Sequence, residues 1–138
     1  KGIYLSNFVA WDGNAKSKLA SELYGFETGD TPFERTYRRA SNLDDMHENG
    51  AHDYLKFVKF GYGRCTDHAS KDIRSGEMTR EKGIELVRRY DPIKPSDIKR
   101  WLEYVGMREQ DFDAIADTFR DPRVWWYDGG WKRHDIES

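Results

Sequence analysis

At 138 residues the chain has the length of one domain and can bury about two-thirds of its unfolded surface. Apolar residues reach only 37% against 35% charged, which predicts a thin, widely solvated fold, yet 14% aromatics predict large rings in a core or interface, some covered by a surface outside the chain. A formal net charge of −2 supplies no basic excess to drive counterion release, so nucleic acid is not an expected partner, and no run reaches the roughly 20 apolar residues that span a bilayer.

In chain order, residues 3–9 read as a strand, Ile3 and Leu5 alternating with Tyr4 ahead of Phe8 and Val9. A lone strand leaves its backbone groups unpaired, so its sheet is expected in another part of a longer protein. Asp12 or Asn14 caps a short helix through Leu19 and Leu23, ended by Gly25. Residues 26–40 hold the linker, marked by FETGDTP. Ala51, Tyr54, Leu55 and Val58 fall at i, i+3, i+4 and i+7 and form one buried helix face, stopped by Gly61 and Gly63. Thr66 caps the next helix, with Asp67 in its first turn and Gly76 at its close. Thr79 caps another that carries Ile84, Val87 and Tyr90 inward before Asp91-Pro92. Pro95 suits the first turn of a helix bearing Ile98, Trp101, Leu102 and Val105, ended by Gly106. Phe112, Ile115, Ala116 and Phe119 make the last helix, which Asp121-Pro122 stops, and these two form an αα-hairpin. Residues 124–131 (VWWYDGGW) read as aromatic and turn-rich rather than regular. The fold class is mainly α.

The densest chemistry lies in residues 52–81. His52, Lys56 and Lys59 form a stripe beside the apolar face, their stems packed and their ammonium groups aimed at a neighbour. Gly61-Tyr62-Gly63-Arg64 follows and leads into a helix start. Free amides at such a start, approached through glycines and joined by the forked donor of Arg64, make an anion site. The competing reading is that the glycines merely end helices and the lysines are solvated. Arg74 closes the second helix and Arg80-Glu81 open the third. Glu81 either steadies that N-terminus, pairs with Arg74 or Arg80, or reaches a polar ligand.

Other chemistries find little support. His47 and His52 lie on different faces and His68 and His134 lack matching partners, so no metal site is expected. Cys65 is alone, which excludes a disulfide framework and fits a reducing, cytoplasmic setting. Gly61-x-Gly63 is neither a Walker motif nor a dinucleotide fingerprint. Trp125, Trp126, Tyr127 and Trp131 suit packing against a partner more than stacking on a sugar.

Five stretches carry a resemblance: LSNFV at 5–9, HDYLKFVKFGYGRCTDHASKDIRSGEMTRE at 52–81, GIELV at 83–87, Tyr90-Asp91, and FRDPRVW at 119–125. On these residues the chain resembles the C-terminal part of the N-acetyl sugar amidotransferases, the WbpG/PseA-like proteins of bacterial surface-polysaccharide biosynthesis. The resemblance implies PP-loop ATP-pyrophosphatase enzymes of the adenine nucleotide α-hydrolase type. They use ATP with Mg2+ to replace the acetamido oxygen of a nucleotide-linked sugar with ammonia from a glutaminase subunit. The product carries an acetamidino group destined for lipopolysaccharide O-antigen or a related surface glycan.

The family's PP-loop and cysteine pairs have no counterpart in these residues. ATP is therefore expected to bind mainly outside this chain, which alone is expected to be inactive. Residues 1–25, a strand and short helix, are expected to end an α/β catalytic domain, and residues 41–138 to form a multi-helix C-terminal domain with an aromatic tail. The resemblance implies that Lys56, Lys59, Arg64 and Arg74 face the cleft and neutralise pyrophosphate or the acidic nucleotide sugar, beside the Gly61 and Gly63 turn. Asp67, Arg80 and Glu81 fall in the same rim, and Cys65 stands where a small residue is expected. The alternative is a helical docking or dimerisation module that binds the glutaminase or a second copy of the chain, without membrane insertion.

Overall fold

The computed structural model describes residues 2–41 and 49–134. Helix α1 (Gly13–Tyr24) begins where the Asp12 carboxylate accepts from the backbone N–H of Asn14 at 2.8 Å and of Ala15 at 3.3 Å. Gly25 ends it in the left-handed conformation, and none of its residues is buried. The Asn14 side-chain amide ties it to the body by donating to Glu77 at 2.7 Å and Asp72 at 3.3 Å. Ahead of it, Leu5–Asn7 form a 3-10 turn, not the expected strand. The described residues offer that segment no neighbouring strand, and the turn lets the Phe8 and Val9 N–H groups bond to the Leu5 carbonyl at 2.9 and 3.0 Å.

The main core joins three helices: α2 (Asn49–Phe60), α5 (Ile98–Val105) and α6 (Glu109–Asp117). The helical spacing read in the sequence brings Ala51, Val58, Ile98, Leu102, Phe112 and Ala116 together, with Tyr54, Leu55 and Trp101 half-buried at the edge, and Phe57, outside that spacing, is buried with them. Burying each large side chain contributes about 1.5–3 kcal/mol. A second, smaller core lies where α3 (Arg64–Arg74) packs on α4 (Arg80–Tyr90) around Cys65, Ala69 and Val87. Thr79 caps α4, its side chain accepting from the Lys82 N–H at 3.3 Å.

Two further segments differ from their sequence reading. Residues 29–39 fold back on themselves, the Gly29 and Phe33 N–H groups donating to the Arg39 and Arg38 carbonyls at 2.9 and 3.0 Å. This turn drives Arg35 and Thr36 into the body, so the expected linker is partly an element of the core. The tail is regular: β1 (Trp125–Tyr127) pairs antiparallel with β2 (Trp131–Arg133), Trp125 opposite Arg133. Asp128-Gly129-Gly130 supplies the turn, and the strand alternation buries Trp125 and Arg133 on one face. Trp125 then meets Phe57 edge to face at 5.1 Å, which pins the hairpin to the main core.

Candidate functional site at the start of helix α3

The start of α3 holds an anion, and that anion is part of the chain. The carboxylate of Asp91, just beyond α4, accepts from the backbone N–H of Gly63 at 2.9 Å, Cys65 at 3.0 Å and Thr66 at 3.4 Å, and from the Thr66 hydroxyl at 2.5 Å. Thr66 is therefore not the cap; α3 begins at Arg64, and Asp91 satisfies the amides from a distance in sequence. Gly63 makes room for this, since a Cβ there would lie 2.8 Å from the Asp91 carboxylate. Two buried guanidinium groups close the arrangement. Arg133 donates to the Gly61 carbonyl at 2.9 Å and lies 3.8 Å from Asp91, and Arg35 donates to the Asp91 backbone carbonyl at 2.5 Å.

The expected site residues are distributed around this start rather than gathered into one cluster. Arg64 grips Asp53 with two bonds of 2.7 and 3.0 Å. Lys56 donates to Asp67 at 2.5 Å and lies over the Tyr62 ring, 4.6 Å from its centre. Lys59 is exposed near the end of α2, 5.0 Å from the centre of the Phe60 ring. Arg74, Arg80 and Glu81 are exposed where α3 ends and α4 begins, Arg74 about 15 Å from Arg64 by helical rise.

A cavity of about 200 Å³ lies on the other side of the Arg64–Asp53 pair. Phe33 and Pro95 form apolar walls, and Arg35, Ser41, Ser96 and Asp97 supply polar ones. Burial lowers the pKa of Arg35, opposed by the charges of Asp91 and Asp53, and its Nε and Nη1 atoms are buried with no hydrogen-bond partner. Asp97 accepts from the Gly50 N–H through Oδ2 at 3.1 Å, while its buried Oδ1 has no partner. Burial raises the Asp97 pKa, opposed by the Gly50 bond. Sequence reasoning missed Arg35, Asp53 and Asp97. In the sequence Arg35 stands out solely as one of three arginines at 35, 38 and 39, and nothing there links Asp53 to Arg64 across the glycine turn.

His68 and Asp72 lock the loop of residues 29–41 against α3. Asp72 accepts from the Tyr37 hydroxyl, the Arg38 guanidinium and Asn14. Burial and the Asp72 carboxylate hold the Tyr37 phenol well above its usual pKa. His68 Nδ1 meets the Thr36 hydroxyl at 2.7 Å and Nε2 meets the Ser41 hydroxyl at 3.4 Å. Burial, then the charges of Arg38, Arg64 and Lys71, push its pKa down from 6.5 to about 4. The folded value lies below the unfolded one, so the stability it contributes is present above pH 6.5 and is lost as pH falls toward 4. The loss reaches about 3 kcal/mol. Urea unfolding at stepwise pH should give a shallower decline over this window in H68N than in the native chain; equal slopes would refute the role.

Among the described residues, no group of three or more His, Cys, Asp or Glu side chains could hold a metal ion, and His47 lies outside them. No described helix is long and apolar enough to cross a membrane. No curated protein matches the chain. A family model described as "LPS biosynthesis protein WbpG-like, C-terminal domain" matches residues 30–136. That span takes in both cores, the cavity, the Asp91-capped start of α3 and the hairpin. The chain therefore belongs to the WbpG-like C-terminal domain family of lipopolysaccharide biosynthesis proteins.

Proposed function

We propose that this chain is the C-terminal part of an ATP-dependent amidotransferase that converts the acetamido group of a nucleotide-linked sugar to an acetamidino group. The pathway would be that of lipopolysaccharide O-antigen or a related surface glycan, with ammonia supplied by a glutaminase subunit. The observation that carries the reading is the family match across residues 30–136. The described residues do not fit ATP with Mg2+. Asp91 already fills the start of α3, where a phosphate would dock, and no acidic cluster suits the metal. The part left to this chain is to hold and orient the sugar, and no step of ATP activation is assigned to it.

The test is an assay of the full-length enzyme with ATP, Mg2+, ammonium and a nucleotide-linked acetamido sugar. The expected product is lighter than the substrate by the difference between O and NH; recovery of the sugar unchanged would sink the reading. Among the rim residues Lys59 is the most informative, because it is exposed and its removal strands no buried charge. Lys59→Ala is expected to lower kcat/KM on the order of tenfold while leaving thermal unfolding unchanged. Unaltered kcat/KM would remove Lys59 from the rim. Arg64→Ala is less telling, since it leaves Asp53 buried without its partner and weakens the fold itself.

The alternative, a docking or dimerisation surface, draws on the apolar side chains of residues 3–26. Tyr4, Trp11 and Tyr24 are each more than two-thirds exposed, and α1 buries nothing. Its readout is the solution mass of the chain, alone and with the glutaminase.

A further inference from the structure

We infer that residues 3–26 are the surface by which this chain packs against the N-terminal part of the same protein, on a face of that part that is apolar and without net charge. The inference rests on the reading of the chain as the C-terminal part of a longer enzyme, and it names the segment that joins the two parts.

Helix α1 turns its apolar side away from the body to which it is tied. At about 100° per residue, Asn14, Ser17 and Ala20 share one side and Ala15, Leu19 and Leu23 the opposite one. The first set is half-buried, with Asn14 bonded to Glu77 and Asp72, and the second is exposed. An amphipathic helix presents its apolar stripe to whatever buries it, so the body of this chain is not what covers α1. Ahead of the helix, Ile3, Tyr4, Leu5, Phe8 and Trp11 are each more than two-thirds exposed, as is Tyr24 at its end. Beyond residue 26, only Tyr104 and Tyr127 pass that mark among the described large apolar residues.

Area, charge and position select the occupant. The rings of Tyr4, Phe8, Trp11 and Tyr24, at about 150–250 Å² apiece, and the aliphatic chains beside them present on the order of 1,000 Å². The largest apolar patch of a typical monomer is about 300–600 Å², whereas an interface between domains of one chain covers about 600–1,500 Å². Within residues 11–24 Lys16 and Lys18 are balanced by Asp12 and Glu22, so nothing there attracts an anionic lipid surface or a nucleic acid. The matched C-terminal domain begins at residue 30, which puts the apolar segment on its N-terminal side. A face borne on the same polypeptide meets this segment without the loss of translational freedom that a separate molecule incurs.

The test compares hydrogen exchange of residues 3–26 in the 138-residue chain and in the full-length protein. Exchange in α1 is expected to be slower in the full-length protein, on the order of tenfold or more. Leu19→Glu with Leu23→Glu is expected to abolish that protection while leaving the urea midpoint of the 138-residue chain unchanged, since neither side chain is buried there. Equal exchange in the two proteins, protection that survives the L19E/L23E pair, or a lowered midpoint in the 138-residue chain would each overturn the inference. So would protection of that chain that grows with its concentration, or that follows addition of the glutaminase, because a second copy or that subunit is then the occupant. Protection in a full-length protein that forms no amidine product would uphold the docking and sink the amidotransferase reading. Product formed with α1 unprotected would sink the docking alone.

Discussion

Replacing Asp91 with alanine is expected to destabilise the chain by about 3–5 kcal/mol, the usual cost of removing one partner from a buried charged network. The carboxylate is fully buried and serves three backbone N–H groups and the Thr66 hydroxyl at once. Its loss leaves those donors facing the end of a helix dipole with nothing to accept from them. It also leaves Arg133 and Arg35, both nearly inaccessible, without the negative charge beside them. Native domains hold about 5–15 kcal/mol in all, so this single change removes a large share. Urea denaturation followed by circular dichroism measures it, and an unfolding midpoint unchanged in D91A would refute the capping role. Asp91→Asn keeps one acceptor oxygen and should fall between the two. Inorganic phosphate should restore part of the lost stability in D91A, because the emptied helix start then accepts an external anion.

Where the sequence was legible, the governing contacts were local. The apolar periodicity of α2, α5 and α6 placed Ala51, Val58, Ile98, Leu102, Phe112 and Ala116 in the core, because a helix repeats its face within one short window. Asp12, Gly25, Thr79 and Gly106 end or begin their helices as read, since a cap acts within three or four residues. The same reading found an anion-seeking helix start but named the wrong cap. Thr66 is adjacent and Asp91 is not, and no periodicity connects a residue beyond α4 to the first turn of α3. Asp53 and Arg64 lie on different elements joined by a glycine turn, so their pairing depends on the angle of that turn. Residues 3–9 alternate as a strand does, but strands form in pairs, and the described chain supplies no partner. The tail's Asp128-Gly129-Gly130 was a hairpin signal, obscured by its many aromatics.

Gly61→Ala is expected to cost about 2–5 kcal/mol from two separable sources. The residue sits at φ +77°, a left-handed conformation that costs any side chain about 1–2 kcal/mol. A Cβ there would also lie 2.4 Å from Val124 Cγ1, inside the half-buried seam where the hairpin meets the main core. Relieving that overlap means displacing packed atoms, at about 1–3 kcal/mol. The Gly61 carbonyl is the acceptor for Arg133, so a shifted turn also pulls on the guanidinium beside Asp91. A double-mutant cycle with Val124→Ala separates the sources. Shortening Val124 removes the overlap but leaves the backbone strain, so G61A/V124A should be more stable than the sum of the single changes by about 1–3 kcal/mol. Strict additivity would assign the whole cost to φ. Gly63 differs, because its φ of −117° suits any residue and a side chain is excluded by the Asp91 carboxylate at 2.8 Å and crowded by the Arg35 guanidinium at 3.1 Å. The two glycines therefore guard different things: Gly61 the direction in which the chain leaves α2, and Gly63 the space in which Asp91 meets α3.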